Sequence, residues 1–443
     1  MARLPIPMPL RHGPGRLLAV AFFVGIVIVY QLFWDDVSSP FPFQPWTPAQ
    51  YGGSWTIEAK SRPDFTPWSP LPTKDGNPGR LRKAGDIVAM VMSSKRGRDR
   101  KLECPPLGES RYAALRPSKG DSHRFFFALN LRQIVHLLPT LMGSIVEVIR
   151  FLGPEHCAVS IVEGYSSDGT FEVLKLLQQE FESMGVDYHL QTSNINPRHG
   201  DRIGKLAKLR NLALEPMMAN ASQWHRDATI LFINDVAACA QDILELLHQK
   251  TFQDADMTCA MDYHRLHNGR LAFYDVWVSR SMDGDSFFPV PDPGKWTHAW
   301  ELLTFEDVSR NRFEKRVPFQ VFACWNGATA ITATPFLDGR LDFRRAAVDK
   351  GECGAGEPTL LCKDMWKLGH GKILVVPSVS LGYDVETGDA IKKSQGYTSD
   401  WTEKEDQGKL PLEIDWKSYP PPLVRCIPKW TDQFWKPWDH GLD

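Results

Sequence analysis

Acidic and amide side chains stand where predicted strands end. Glu163 and Asp168 follow an apolar run at 157–163 (CAVSIVE), and Asn234 and Asp235 follow another at 228–233 (ATILFI). Trp325, Asn326 and Gly327 belong to a later strand region at 321–331. In open parallel sheets ligands bind at the carboxyl ends of strands, so these positions converge on one edge. Carboxylates there suit a hard divalent cation, and a cation suits phosphate oxygens. The helix predicted over 202–217 carries Arg202, Lys205 and Lys208 on one side, with Arg210 and Asn211 following. Such a basic face beside acidic strand ends could hold a diphosphate. The plainer alternatives are turn-forming Asp, Asn and Gly and a solvated helix face. Glu357 follows a Gly-rich turn and opens an apolar helix (LLCKDMWKLG) that also carries Asp364. An acid there either faces a ligand or only complements the helix dipole. The chain has no Walker A motif and no G-x-G-x-x-G after the first strand. It also lacks H-E-x-x-H, a paired-cysteine zinc pattern and G-x-S-x-G. P-loop, Rossmann, zinc-hydrolase and α/β-hydrolase chemistry are therefore disfavoured.

The elements that must position these residues alternate. Helical spacing predicts a helix over 125–138, and a second apolar segment runs to about residue 152. Strands are expected at 157–163, 186–190, 228–233, 257–261, 321–331 and 372–376. The helices between them are expected at 171–185, capped by Thr170, and at 202–217 and 242–248. Alternation of this kind predicts an α/β fold with a mainly parallel sheet.

Residues 17–34 (LLAVAFFVGIVIVYQLFW) are uncharged, and Arg3, Arg11 and Arg16 precede them. About 18 helical residues span roughly 27 Å, close to a bilayer's hydrocarbon thickness. The chain is therefore expected to have a cytoplasmic tail at 1–16 and a transmembrane anchor at 17–34, with type II orientation. A Pro-rich lumenal stem at 35–100, a catalytic domain at 101–393 and a Trp- and Pro-rich extension at 394–443 complete the expected layout. With 51 Lys and Arg against 53 Asp and Glu among 443 residues, the formal charge is −2. That balance argues against a nucleic-acid partner. The 43% hydrophobic content rules out a disordered chain.

Eight stretches in order resemble the fungal capsule-associated α-1,3-mannosyltransferases, glycosyltransferase family 69. They are FFFALNL (125–131), LGPEHCAVSIVEGYSSDGT (152–170), RIGKLAKLRNLALEP (202–216), LFINDVAACAQDILELL (231–247), ADMTCAMDY (255–263), FYDVWVSRSMDG (273–284), ACWNGATAITATPF (323–336) and ECGAGEPTLLCKDMWKLG (352–369). The resemblance implies a GT-A-like nucleotide-sugar-binding fold in the Golgi membrane. It also implies retaining transfer of mannose from GDP-mannose to a mannoside glycan, assisted by a divalent cation, with Mn2+ the expected ion. It places Glu163, Asp168, Arg202, Arg210, Asn211, Asn234 and Gly327 at the donor, and Asp235 on the metal. Asp275, Trp277, Trp325 and Asn326 fall to the acceptor sugar, and Glu357 with Asp364 to catalysis. The strand end reads Asn234-Asp235-Val236, without the second acid of an Asp-x-Asp motif. Cys353 and Cys362 bracket Glu357 and are expected to form a disulfide fixing its loop, the alternative being two buried thiols. The same fold with another donor or linkage, and a tethered glycan-binding or assembly factor, are the competing readings.

Overall fold

The computed structural model describes residues 78–93, 102–118, 122–291, 294–405 and 412–442. All of these described residues belong to one compact unit. The anchor expected at 17–34, the tail before it and the first part of the stem lie outside the described residues. Among those described, no helix is long and apolar enough to cross a membrane.

A nine-stranded sheet runs through the domain. Its strands are β1 (His123–Leu131), β2 (Cys157–Glu163), β3 (Asp187–Thr192), β4 (Trp224–Ile233), β5 (Met257–Arg265), β6 (Leu271–Phe273), β7 (Phe319–Gln320), β8 (Ala328–Thr332) and β9 (Ile373–Gly382). The order is β3-β2-β1-β4-β8-β5-β9-β7, with β6 on β5. The pairs β3/β2, β2/β1, β1/β4 and β5/β9 are parallel, while β6, β7 and β8 run antiparallel to their neighbours. The fold is thus mixed α/β with a mostly parallel sheet, and β1 to β5 and β9 end at a single edge.

One face of the sheet is covered by α1 (Pro78–Met92), α2 (Leu138–Leu152), α3 (Thr170–Met184) and α5 (Ala240–Phe252). The other is covered by α4 (Arg202–Ala219), α7 (Glu357–Lys367) and the loops around Phe273 and Phe322. Further helices are α6 (Asp307–Glu314) and α8 (Val385–Gln395). Strand alternation distributes β1 between the two cores: Phe125, Phe127, Leu129 and Leu131 pack on the first side, Phe126 and Ala128 on the second. Each such phenylalanine contributes roughly 1.5–3 kcal/mol by burial.

Three local expectations are corrected. Residues 123–131 form a strand, not the start of a helix over 125–138. FFFALNL is apolar at nearly every position, so it satisfies either period, and pairing on both sides decides for the strand. The strand expected over 321–331 is cut short, because Asn326 (φ 55°) and Gly327 (φ 83°) adopt left-handed backbone; β8 begins only at Ala328. Residues 78–92, given to the stem by their Pro- and Gly-rich surroundings, form α1, which buries Ala84, Val88 and Val91 against the domain.

Disulfides join Cys104 to Cys239, Cys259 to Cys324 and Cys353 to Cys426. The expected Cys353–Cys362 bond is absent. Cys362 lies on the inward face of α7, where its thiol donates to the Cys324 carbonyl at 3.5 Å, and it stays free and buried. Cys353 turns the other way, toward the hairpin of β10 (Leu423–Lys429) and β11 (Asp432–Pro437). Arg425 pairs with Asp285, the Arg280 guanidinium donates to the Arg425 carbonyl, and the Lys363 ammonium donates to the His440 carbonyl. The C-terminal residues are therefore bound into the domain beside the loop that leads to Glu357. Replacing Cys353 and Cys426 together by Ser is expected to lower stability by about 2–4 kcal/mol, because their bond closes a long loop in the unfolded chain. Thermal unfolding of the double variant against the parent checks this.

Candidate functional site

The carboxyl edge of the sheet gathers four chain segments. Asn234 and Asp235 leave β4; Asp262 lies toward the end of β5; Tyr383 leaves β9; and Trp325-Asn326-Gly327 leads into antiparallel β8. Ile233 pairs with Ala328, and the Asn234 amide N–H donates to the Gly327 carbonyl at 2.9 Å, so the first and last of these segments are locked in register. Gly327 is required twice over. Its φ is left-handed, and a Cβ there would lie 3.2 Å from both Asp262 and Val236 side chains.

Asp235 is mostly buried, and burial pushes its carboxyl up to about 6, while the positive field of His136 opposes the rise. No other side chain donates a hydrogen bond to it among the described residues. Tyr274 lies in the fields of Asp275, Asp262, Arg202 and Asp235 together, so all four charges act on its hydroxyl. Among the described residues no cluster of three or more His, Cys, Asp or Glu side chains could hold a metal by itself. A desolvated carboxylate with no side-chain donor among the described residues does fit a hard divalent cation whose other oxygens come from a bound phosphate group and water.

Beneath this edge lies a polar layer. Asp262 is fully buried; burial and the neighbouring Asp275 hold its carboxyl well above the usual range. It accepts from the Tyr383 hydroxyl at 2.8 Å and from the Asp275 amide N–H at 3.2 Å. Burial likewise pushes Asp275 up to about 6, although it accepts from the Asn326 amide N–H at 2.9 Å and lies in the field of Arg210. The Asn326 side chain is fully buried, donating to the Ala260 carbonyl at 2.9 Å and accepting from the Ser279 hydroxyl at 2.7 Å.

Trp325 is only 1% exposed, so its faces are closed to a sugar ring, against the stacking role expected for it. Its indole N–H donates to Asn234 Oδ1 at 3.1 Å, and the Arg210 guanidinium lies 4.1 Å from its ring centre. Asn326 is corrected in the same way: it shapes the turn from inside. Trp277, in contrast, remains half-buried beside Gly356, edge-on to Trp430 at 4.5 Å.

Arg210 joins the edge to α7. Its Nε–H donates to Glu357 Oε1 at 2.8 Å, with the Glu357 side chain 3% exposed and that of Arg210 12%. Asp275 feels both charges. Arg202 is exposed at the start of α4, whose N-cap is Asp201 accepting from the Gly204 amide at 2.9 Å. The Lys205 ammonium donates to the carbonyls of Asn196 and His199, which turns it to the preceding loop and away from the face expected to be basic.

Four expected site residues make other connections. Glu163 accepts from the amides of Tyr165 and Ser166, closing the turn after β2. Asp168 is partly desolvated, yet the amides of Val135 and Thr170 and the Thr170 hydroxyl hold its carboxyl below the usual range. Asn211 spends both ends of its amide on the Phe343 backbone, at 2.8 and 2.9 Å. Asp364 is gripped by Arg344 in a bidentate pair that also includes Glu352 and Lys363, away from Arg210. Conversely, Asp262, Tyr274 and Tyr383 belong to the edge and were not singled out from the sequence. Asp262 carries the same signal as Asp235, an acid closing an apolar strand; Tyr274 carries none.

A family model described as Cryptococcal mannosyltransferase 1 matches residues 124–364, which include every strand-end residue named above except Tyr383. Alpha-1,3-mannosyltransferase CMT1 of Cryptococcus neoformans var. neoformans serotype D (strain JEC21 / ATCC MYA-565) is 38% identical over 334 residues, covering 72% of this chain and 71% of its own. Among solved structures, the mannosyltransferase PcManGT from Pyrobaculum calidifontis in complex with GDP-Man and Mn2+ aligns at 10% identity, over 75% of this chain and 77% of that one, with a TM-score of 0.33. S. aureus TarS 1-349 aligns at 12% identity over 58% and 60%, also with a TM-score of 0.33. Nothing further rests on these two structural likenesses. The family match takes in the sheet strands from β1 to β8, α4, the first part of α7 and most of the polar edge between them, and the chain belongs to the cryptococcal mannosyltransferase 1 family as a mannosyltransferase enzyme.

Proposed function

We propose that the chain transfers mannose from GDP-mannose to a mannoside glycan, forming an α-1,3 linkage with retention, on a GT-A-like domain. The observation that carries this reading is Asp235: a desolvated carboxylate at the sheet edge to which, among the described residues, no other side chain donates a hydrogen bond. Asp235 would hold a divalent cation, Mn2+ by preference, and Asn234 would line the same pocket. The cation would neutralise diphosphate charge as the leaving group departs. Arg202 and Arg210 add positive charge on the same side, where it is most effective in a site shielded from water. Glu357, held by Arg210, faces the acceptor hydroxyl, and Trp277 offers an aromatic edge beside it.

We also place the enzyme in the Golgi membrane, anchored by residues 17–34 with the domain in the lumen. Three disulfides suit that oxidising compartment.

The test uses the full chain in detergent with Mn2+, a short α-mannoside, and GDP-mannose or UDP-sugars, followed by linkage analysis of the product. Transfer from GDP-mannose with a new α-1,3 bond is expected. Turnover only with a UDP-sugar, or another linkage, would replace this reading by a transferase of different specificity. The cation also carries a pH prediction. Asp235 must be ionised to bind it, so the apparent affinity for Mn2+ should tighten as pH rises through about 6 and level off above it. Mn2+ activation constants between pH 5 and 8 check the direction; a constant that does not vary with pH would contradict it.

A further inference from the structure

We infer that Tyr383 is a positioning residue, the middle of a one-way hydrogen-bond chain from Trp325 through Asn234 and Tyr383 to Asp262 that holds the Asn234–Asp235 strand end in place for the donor. The inference rests on the donor-site reading of this edge given above.

The direction of the chain follows from its two ends. An indole N–H can only donate, so the Asn234 amide must turn its oxygen to Trp325, at 3.1 Å. Its nitrogen then faces the Tyr383 oxygen at 3.3 Å and donates to it. The Tyr383 hydroxyl hydrogen must go elsewhere, and it goes to Asp262 Oδ2 at 2.8 Å. The other Asp262 oxygen takes the Asp275 amide N–H at 3.2 Å. Reversing either of the first two links would set two donors against each other, and the third runs the same way when Asp262 is ionised. The chain thus fixes the flip of the Asn234 amide and crosses from β8 to β4 to β9 to β5, drawing together strands that are far apart in sequence.

The backbone reinforces it around Asp235. The Asn234 amide is bonded to Gly327, the Val236 amide to the Asn234 carbonyl, and the Ala237 amide to the Gly382 carbonyl at 2.8 Å, next to Tyr383. Asp235 is therefore bracketed by anchored groups on both sides, while no other side chain among the described residues donates to its carboxylate. The Tyr383 ring packs on Tyr274 at 4.8 Å, so removing the hydroxyl alone leaves the packing intact.

Tyr383→Phe in the full chain isolates the hydrogen bonds. We expect the KM for GDP-mannose and the Mn2+ activation constant to rise about tenfold, with acceptor KM within twofold of the parent and the melting temperature within a few degrees. Asp262→Asn should give the same pattern, because its single amide oxygen cannot serve both donors. A fall in kcat with unchanged donor KM, or no change in either variant, would overturn the inference. Hydrogen exchange provides a readout that does not depend on turnover. The amides of Val236 and Ala237 should exchange faster in Tyr383→Phe, with those of β2 unaltered. Unaltered exchange at 236–237 would refute the positioning role whatever the chain transfers. Faster exchange in a parent that does not use GDP-mannose would leave the positioning role standing and remove the donor reading.

Discussion

Asp235→Asn is expected to lower kcat/KM for GDP-mannose by about 100- to 1,000-fold while raising the melting temperature at pH 7, a size typical for loss of one electrostatic contact in a shielded site. The two effects have opposite signs for one reason. Burial lifts this carboxyl from its ordinary 3.8 to about 6. A carboxyl raised in the folded state binds its proton more tightly there than in the unfolded chain. Folding is therefore penalised where the group must ionise: the cost is absent below about pH 4, grows between about 4 and 6, and is constant above. At about 1.4 kcal/mol per unit the ceiling is near 3 kcal/mol, and partial exposure reduces it to about 1–2 kcal/mol. A neutral amide of the same shape avoids that cost. On the proposed donor-site reading, the chain keeps a group that destabilises the fold because that group binds the cation. Metal-free thermal unfolding at pH 7 and pH 4 reads the effect: a gain of one to a few degrees at pH 7 that disappears at pH 4. A variant that loses stability and activity together would make Asp235 a structural cap of the β4 turn.

Asp235 could be read from sequence because an acid closing a fully apolar strand is a local pattern, and the sheet then fixes where it points. The same rule reaches Asp262, which directly follows the apolar run at 257–261 much as Asp235 follows that at 228–233. Tyr383 was lost by a larger margin. β9 runs to Gly382, whereas its apolar signal stops near Val376. Pro377, Ser378 and Ser380 look like loop in sequence, yet Ser378 and Ser380 are buried within the sheet. Trp325 and Asn326 were placed at the right edge with the wrong role, since residue type does not distinguish a ring facing solvent from one beneath a guanidinium. Asp364 lies two turns after Glu357 on the same helix, so local periodicity puts it on the same side. Arg344, from a distant loop, takes it instead. The Cys353 partner failed for the same reason: its true mate, 73 residues away, is brought near only by the closing hairpin. What was missed depends on contacts between remote segments, which no window of sequence contains.

Glu357→Gln should separate the chemistry of α7 from its packing. Glu357 is 2% exposed at the first position of the helix, and the Arg210 Nε–H can still donate to a glutamine oxygen in the same place. The steric fit is preserved, and the Tm is expected to stay within a few degrees. If the carboxylate orients or deprotonates the acceptor hydroxyl, kcat should fall by about 100-fold or more, with donor KM little changed. Arg210→Ala breaks the same pair from the other side and should behave differently. It leaves a buried carboxylate without its cation, a change that costs about 3–5 kcal/mol when a buried pair is broken. It also strips the guanidinium from the Trp325 face, whose cation–π contact is worth about 0.5–2 kcal/mol. Arg210→Ala is thus expected to lose both stability and activity, and Glu357→Gln activity alone. Circular dichroism melts alongside steady-state kinetics for the two variants distinguish the cases. Glu357→Gln retaining kcat within threefold of the parent would show that the pair serves only to join α4 to α7, and catalysis would then have to be sought at Asp275, the carboxylate that accepts from the Asn326 amide in the turn before β8.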